Sequence, residues 1–249
     1  MLFRSCISHI VDLNQDFQTK KAAETADLCI GVIEKITNRM SKYNQHTYLV
    51  SHGVQLMPTT IEMINLPGTS EVKALYVGNL DMPHIDWELL LTVSERFQQV
   101  DFVFVGATKN DNNVAKMKMM SLPNVHFLNS VKANKIFDYL ISADILLLCY
   151  DDLYKKEYAS PHKMMEYLDS GKTTVATWLY DYERLAKEDL LVMAKTTDQY
   201  LDNFRRVLND LSYWNGRALM TQRKNFTSSL TYDKQIERIE KYIQSNARK

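Results

Sequence analysis

The segment 160–172, SPHKMMEYLDSGK, carries the residue types and spacing best suited to chemistry in this chain. Ser160 is a strong N-cap type, Pro161 suits a first helical position and Gly171 marks a stop, so the spacing predicts a helix opened by Ser160. Its first turn then holds His162 and Lys163 and no acid. Basic groups there oppose the helix dipole by about 0.3–1 kcal/mol, unless an anion lies between them and the open N–H groups. Lys163 and Glu166 stand three apart and share one face, while Met164, Met165 and Leu168 turn to the core. A solvated Lys163–Glu166 pair would contribute only about 0.3–0.5 kcal/mol. The missing acid favours a phosphate-binding Lys163.

Gly78 ends the apolar run ALYVG, where a missing side chain lets a phosphate approach the backbone; a plain tight turn is an equal reading. Neither GxGxxG nor a P-loop is present, which disfavours a dinucleotide enzyme and a nucleoside triphosphatase. Asp151 and Asp152 read as a solvated turn or helix cap, and no metal is assigned. His9, His46 and His84 have no partner at ligand spacing, and no nucleophile is set beside them. Cys6, Cys29 and Cys149 are far apart with no CxxC, so neither zinc nor a disulfide framework is indicated. A reduced, cytoplasmic setting is expected.

The elements that must position these residues alternate. DLCIGV reads as strand, IEKITNRMSKY as helix and HTYLVSHGV as strand. QLMPTTIEMINLPGTSEVK, with Pro58, Pro67 and Gly68, reads as a linker. The alternation restarts with KALYVGNL and runs through DFVFVGA, VHFLNSV, DILLLCY, TTVATW and LLVMAK, with helical patterns between them. Short, continuously apolar strands with helices between them predict an α/β, Rossmann-like parallel sheet. Beyond Trp214 only helical patterns follow, with Ile236, Ile239, Tyr242 and Ile243 on one face of a terminal helix that is expected to cross back to the N-terminal segment. The divisions are 1–56, a partial first domain; 57–72, the linker; 73–214, the main domain; and 215–249, the returning helices.

With 249 residues, 30 basic and 30 acidic, the chain shows no charge footprint for nucleic acid. Its longest apolar run, ADILLLCY, falls far short of the roughly 20 residues a bilayer needs. The first fifteen residues make a poor signal peptide and read like the interior of a domain.

At SPHKMMEYLDSGKTTVATW the sequence resembles the donor-binding domain of GT-B-fold glycosyltransferases, in which SPxKxxEYLAxGKPVVAT follows a strand and opens a helix. ALYVGNLDMPHIDWELLLTVSERFQQVDFVFVGA is similar to the family's first strand, glycine turn, helix and second strand, and LPNVHFLNSVKANKIFDYLISADILLLCY to its NVxFLGxxxxxxLPxYLxxADVxLxP stretch. ETADLCIGVIEKITNRM with YLVSHGV resembles the end of the family's N-terminal domain. The likeness runs from about Ala22 onward, is densest over 158–178, and lies nearest the bacterial polysaccharide and teichuronic-acid type.

The resemblance implies transfer of a sugar from a nucleotide diphosphate-sugar to an acceptor hydroxyl in cell-surface glycan synthesis, with no separate cofactor and no metal. Lys163 and the helix end, with Ser160, Pro161 and His162, would hold the diphosphate, Glu166 the ribose, and backbone from Phe127 to Val131 the base; Gly78 and Asn79 would line the phosphates. A glycan or lipid-linked acceptor and peripheral attachment to the inner membrane face go with that function. Glu157 and Tyr158 are one residue out of register with a family glutamate, Asn79 and His84 stand where an Arg and Lys pair is usual, and Thr173 replaces a proline. About 55 residues precede the linker, short of a full acceptor domain. Nucleotide binding without efficient transfer, with self-association or a partner subunit covering the first segment, is therefore the alternative expectation. A sugar-nucleotide epimerase is weaker, because no acid and base pair is identifiable in that segment.

Overall fold

The computed structural model describes residues 6–11, 19–109, 112–152 and 160–247. Two parallel sheets organise it. The first, order β1-β2-β3, contains β1 (Ile7–Ile10), β2 (Leu28–Gly31) and β3 (Thr47–Leu49), separated by α1 (Thr19–Thr25) and α2 (Glu34–Met40). Ile10, Cys29, Ile33, Ile36 and Met40 form its core on the α1/α2 side. β1 and α1 were not legible as elements, and the HTYLVSHGV strand shrinks to three residues.

The second sheet has six strands: β4 (Val72–Val77), β5 (Val100–Val105), β6 (Val125–Leu128), β7 (Ile145–Leu148), β8 (Thr173–Thr177) and β9 (Val192–Ala194). Their order is β6-β5-β4-β7-β8-β9, all parallel, as the alternation predicts. β5, β7, β8 and β9 are buried along their whole length because helices cover both faces. Between them lie α3 (Trp87–Arg96), α4 (Val114–Met119), α5 (Ile136–Ser142), α6 (Lys163–Ser170) and α7 (Glu183–Lys187). After β9 come α8 (Thr197–Asn209), α9 (Leu211–Trp214), α10 (Arg217–Ser228) and α11 (Tyr232–Ala247).

The strand order reverses between β4 and β7, with register partners Ala74↔Ile145 and Leu75↔Leu146. Beyond Leu75 the Val77 amide donates to the Tyr167 hydroxyl of α6 at 3.0 Å instead of to β7. A crevice beyond the carboxyl ends of strands at such a reversal is where open α/β sheets bind ligands.

Asp101, buried at the start of β5, accepts from Lys73 Nζ at 2.6 Å and from the Ser70 amide at 2.7 Å, and lies 3.0 Å from His126 Nε2. These contacts fix the linker where it enters β4. The departure at Thr173 has a use: its amide donates to Asn215 Oδ1 at 2.8 Å, a bond proline cannot make, and Asn215 Nδ2 donates to Asp144 O at 2.8 Å.

α11 packs against the first sheet. Tyr242 stacks on Tyr48 with centroids 4.0 Å apart, and Ile239 joins Leu28, Ile30 and Val50. Ile236, expected on that buried face, is 53% exposed, since it lies a turn before the sheet contact.

Candidate functional site

α6 starts later than its sequence implies. Its first helical residue is Lys163, and Ser160 caps nothing: its hydroxyl donates to Asp181 Oδ2 at 2.7 Å and lies 3.1 Å from the Tyr182 hydroxyl. With that start Glu166 falls in the first turn, so the turn is not free of acid. Pro161 is buried, and its carbonyl accepts from the Met164 amide at 3.0 Å, leaving the preceding amides at the open end of the helix. Met164, Met165 and Leu168 are buried as expected. Gly171 closes the helix in a left-handed conformation, φ +80°.

Gly78 and Lys163, singled out separately, meet. The lysine arches back from α6 to the end of β4, and a Cβ on Gly78 would collide with its ammonium. A Cβ on Gly106 at the end of β5 would in turn strike the Gly78 carbonyl, so two glycines leave the backbone bare around this cation. Lys163 Nζ donates to the Tyr76 hydroxyl at 2.8 Å and stands 4.0 Å from that ring's centroid. Burial lowers the Lys163 pKa to about 8, with Glu166 opposing the shift. Among the described residues no carboxylate closes an ion pair with it. Glu166 itself is half-buried, and burial raises its pKa against the pull of His162 and Lys163.

His162 serves another contact. Its Nε2 lies 3.0 Å from Gly53 O and 2.8 Å from Tyr232 Oη; a carbonyl cannot donate, so Nε2 carries the proton. It thereby joins the α6 entrance to the segment after β3 and to the start of α11. His52 packs edge-on at 5.8 Å, its pKa lowered by burial first and by His162 next.

Asn79 is exposed, its Oδ1 accepting from the Asp81 amide at 3.0 Å, so it shapes the loop after β4. Phe127 and Val131 part company. The Phe127 ring stacks on Phe104 at 5.1 Å, whereas Val131 lines a cleft of about 390 Å³ with Glu62, Ile64, Lys135 and Tyr139. His84 contributes its carbonyl to the Asp151 amide at 3.0 Å. Glu157 and Tyr158 lie outside the described residues. Tyr76 and Tyr167 were missed, although the strand period places Tyr76 on the face of Gly78, two residues away.

Chemically, this is a cation on a bare backbone turn, an open helix end and a carboxylate one turn along, gathered at the sheet's reversal. That set suits a phosphorylated ligand with a neighbouring diol.

No protein-family profile matches the chain, and no curated protein matches it by sequence. Solved structures do match. The sucrose-phosphate synthase of Thermosynechococcus elongatus superposes with a TM-score of 0.73 at 16% identity, over 96% of this chain and 63% of that one. HepE of Anabaena in complex with UDP-glucose gives 0.73 at 14%, over 97% and 72%. WaaG, a glycosyltransferase involved in lipopolysaccharide biosynthesis, gives 0.58 at 14%, over 81% and 60%. The chain thus spans less than two thirds of the synthase and of WaaG. What it shares with all three is their architecture, parallel sheets with flanking helices in the α/β, Rossmann-like GT-B fold.

Proposed function

We propose that this chain binds the nucleoside diphosphate of a nucleotide-sugar at the α6 entrance and forms the donor side of a glycosyltransferase. The observation that carries the reading is the Lys163 ammonium, held against the Gly78 backbone with no carboxylate among the described residues paired to it. The match to HepE bound to UDP-glucose supports it, as does the match to a transferase, GtfA, bound to UDP and GlcNAc.

In the reaction the bond between the sugar's anomeric carbon and the diphosphate oxygen breaks, and negative charge collects on the departing diphosphate. Lys163 and the helix end stabilise that charge, a role that grows as the bond lengthens. Glu166 accepts from the ribose hydroxyls, and backbone between Phe127 and Val131 meets the base. The acceptor hydroxyl bonds to the anomeric carbon and gives up its proton to solvent, while the diphosphate departs with the electron pair of the broken bond. A cell-surface glycan as acceptor, and attachment to a membrane through it, belong to the same proposal; no helix of the described residues is long and apolar enough to cross a membrane.

A thermal-shift panel of uridine, guanosine, thymidine and adenosine diphosphates tests binding. A ligand at a hundred times its dissociation constant adds about 2.7 kcal/mol of stability, and Lys163→Ala should lose about 1.5–3 kcal/mol of binding. Equal affinity in parent and variant removes the reading. Following nucleotide release with and without acceptors then tests transfer: a shift without acceptor-dependent release leaves a nucleotide-sugar-binding protein, the alternative function.

A further inference from the structure

Lys163 is held by a group that does not neutralise it. A half-buried ammonium such as this one is commonly compensated by Asp or Glu, and an anionic ligand must then displace a carboxylate to reach it. Here the hydroxyl and the π-face of Tyr76 take that place, both neutral acceptors. Tyr76 is fully buried in β4, its ring 6.4 Å from that of Phe104, so the acceptor is fixed rather than mobile. The Val77 amide donating to Tyr167 ties α6 to the next residue of β4 as well.

We propose that Tyr76 is the positioning residue of the diphosphate site: its hydroxyl and ring hold the Lys163 ammonium charged, un-neutralised and aimed at the Gly78 turn. The role rests on the nucleoside diphosphate reading of the site. Without the hydroxyl, the ring and the more distant Glu166 are left to support the charge among the described residues. The lysine then loses its proton at lower pH, and the anion meets a neutral amine.

Among the described residues, the charged and titratable groups around Lys163 are few. Glu166 and His162 lie on or beside α6, Tyr76 faces it from β4, and His52 and Tyr232 adjoin His162 from the segment after β3 and the start of α11. Burial lowers the His52 pKa, and the terminal phosphate of a nucleoside diphosphate titrates mainly below pH 7. Between pH 7 and 9.5 the lysine dominates.

The experiment is calorimetric titration of uridine diphosphate, or whichever diphosphate the shift panel selects, across that range. The parent, Tyr76→Phe and Lys163→Ala are compared. The parent's affinity should fall once the pH passes about 8, where the free lysine deprotonates. Tyr76→Phe should bind within about twofold of the parent at pH 7 and begin its fall about one pH unit earlier. At pH 8.5 it should be about 5–10-fold weaker, as expected from losing one hydrogen bond to a charged group. Lys163→Ala should be weak and flat with pH. A Tyr76→Phe profile that overlays the parent, or drops by one factor at every pH, overturns the positioning role. Tight binding by Lys163→Ala instead overturns the diphosphate reading, and the role of Tyr76 with it.

Discussion

Asp169 and Thr227 are joined across α6 and α10 by a 2.8 Å hydrogen bond from the threonine hydroxyl to Oδ1, while Oδ2 accepts from the Met57 amide at 2.5 Å. One buried carboxylate thus holds the site helix, the linker and a C-terminal helix. Asp169→Ala leaves the Met57 amide unpaired, while the Thr227 hydroxyl can turn to the Lys224 carbonyl at 2.9 Å, and should cost about 1–3 kcal/mol, with Asp169→Asn nearer half of that because its remaining oxygen still accepts. Urea denaturation of both variants checks the order; equal stability of Asp169→Ala and the parent contradicts it.

Gly78→Ala separates binding from folding. Its new methyl meets the far end of a flexible lysine rather than packed backbone, so the amine is pushed aside. Stability should fall by about 1 kcal/mol from the unfavourable backbone geometry, while diphosphate affinity falls about tenfold, the usual worth of a contact of roughly 1.4 kcal/mol. Melting curves with and without nucleotide read both quantities.

The linker anchor at Asp101 makes stability depend on acid. Burial alone raises the Asp101 pKa, but hydrogen bonds from Lys73, His126 and the Ser70 amide outweigh it and hold the carboxyl below its usual value. A depressed folded-state pKa adds stability that is present above the unfolded value and lost as the pH falls through the folded one. The loss should therefore lie below about pH 4. Asp101→Asn should flatten that limb and cost about 2–3 kcal/mol near neutrality, where the Lys73 charge is left without its partner. Denaturant midpoints from pH 2.5 to 7 give both; an unchanged acid limb in the variant would exclude Asp101 as its source.

Arg223, wholly buried on α10, donates Nε to Leu190 O at 2.7 Å and Nη1 to Gly171 O at 2.9 Å and Trp214 O at 2.7 Å. Burial lowers its pKa to about 10, with Asp189 opposing, so it stays charged at neutral pH. Lysine keeps the charge without the planar fork, and Arg223→Lys should lose about 2–3 kcal/mol, or about 5–10 °C in melting temperature. A smaller loss in calorimetry would mean that one carbonyl contact is enough.

Much of this was legible because parallel strands covered on both faces are written as unbroken apolar runs, as in Ile145–Leu148. The seven-residue α1 and the four-residue β1 escaped because such short segments show no period. Lys163, Glu166, Gly171 and Gly78 stood out by residue type. Ser160 misled, since an N-cap preference says nothing of a competing partner, and Asp181 lies 21 residues away. Tyr76 went unnoticed because a tyrosine inside an apolar strand looks like core, and only the returning α6 gives its hydroxyl a task.

The seam between β4 and β7 is the narrow waist of the large sheet: Ala74 and Leu75 meet Ile145 and Leu146, while β4 and β5 run together from Val72 to Val77. A fissure in the sheet would open along that line, and α6 is tied to its β4 side through Lys163 and Tyr167. A ligand seated between α6 and the β4 turn therefore works as a rivet that pins the helix to the β4 plate. Amides on either side, Val77 and Leu148 among them, should exchange with solvent more slowly once it is in place.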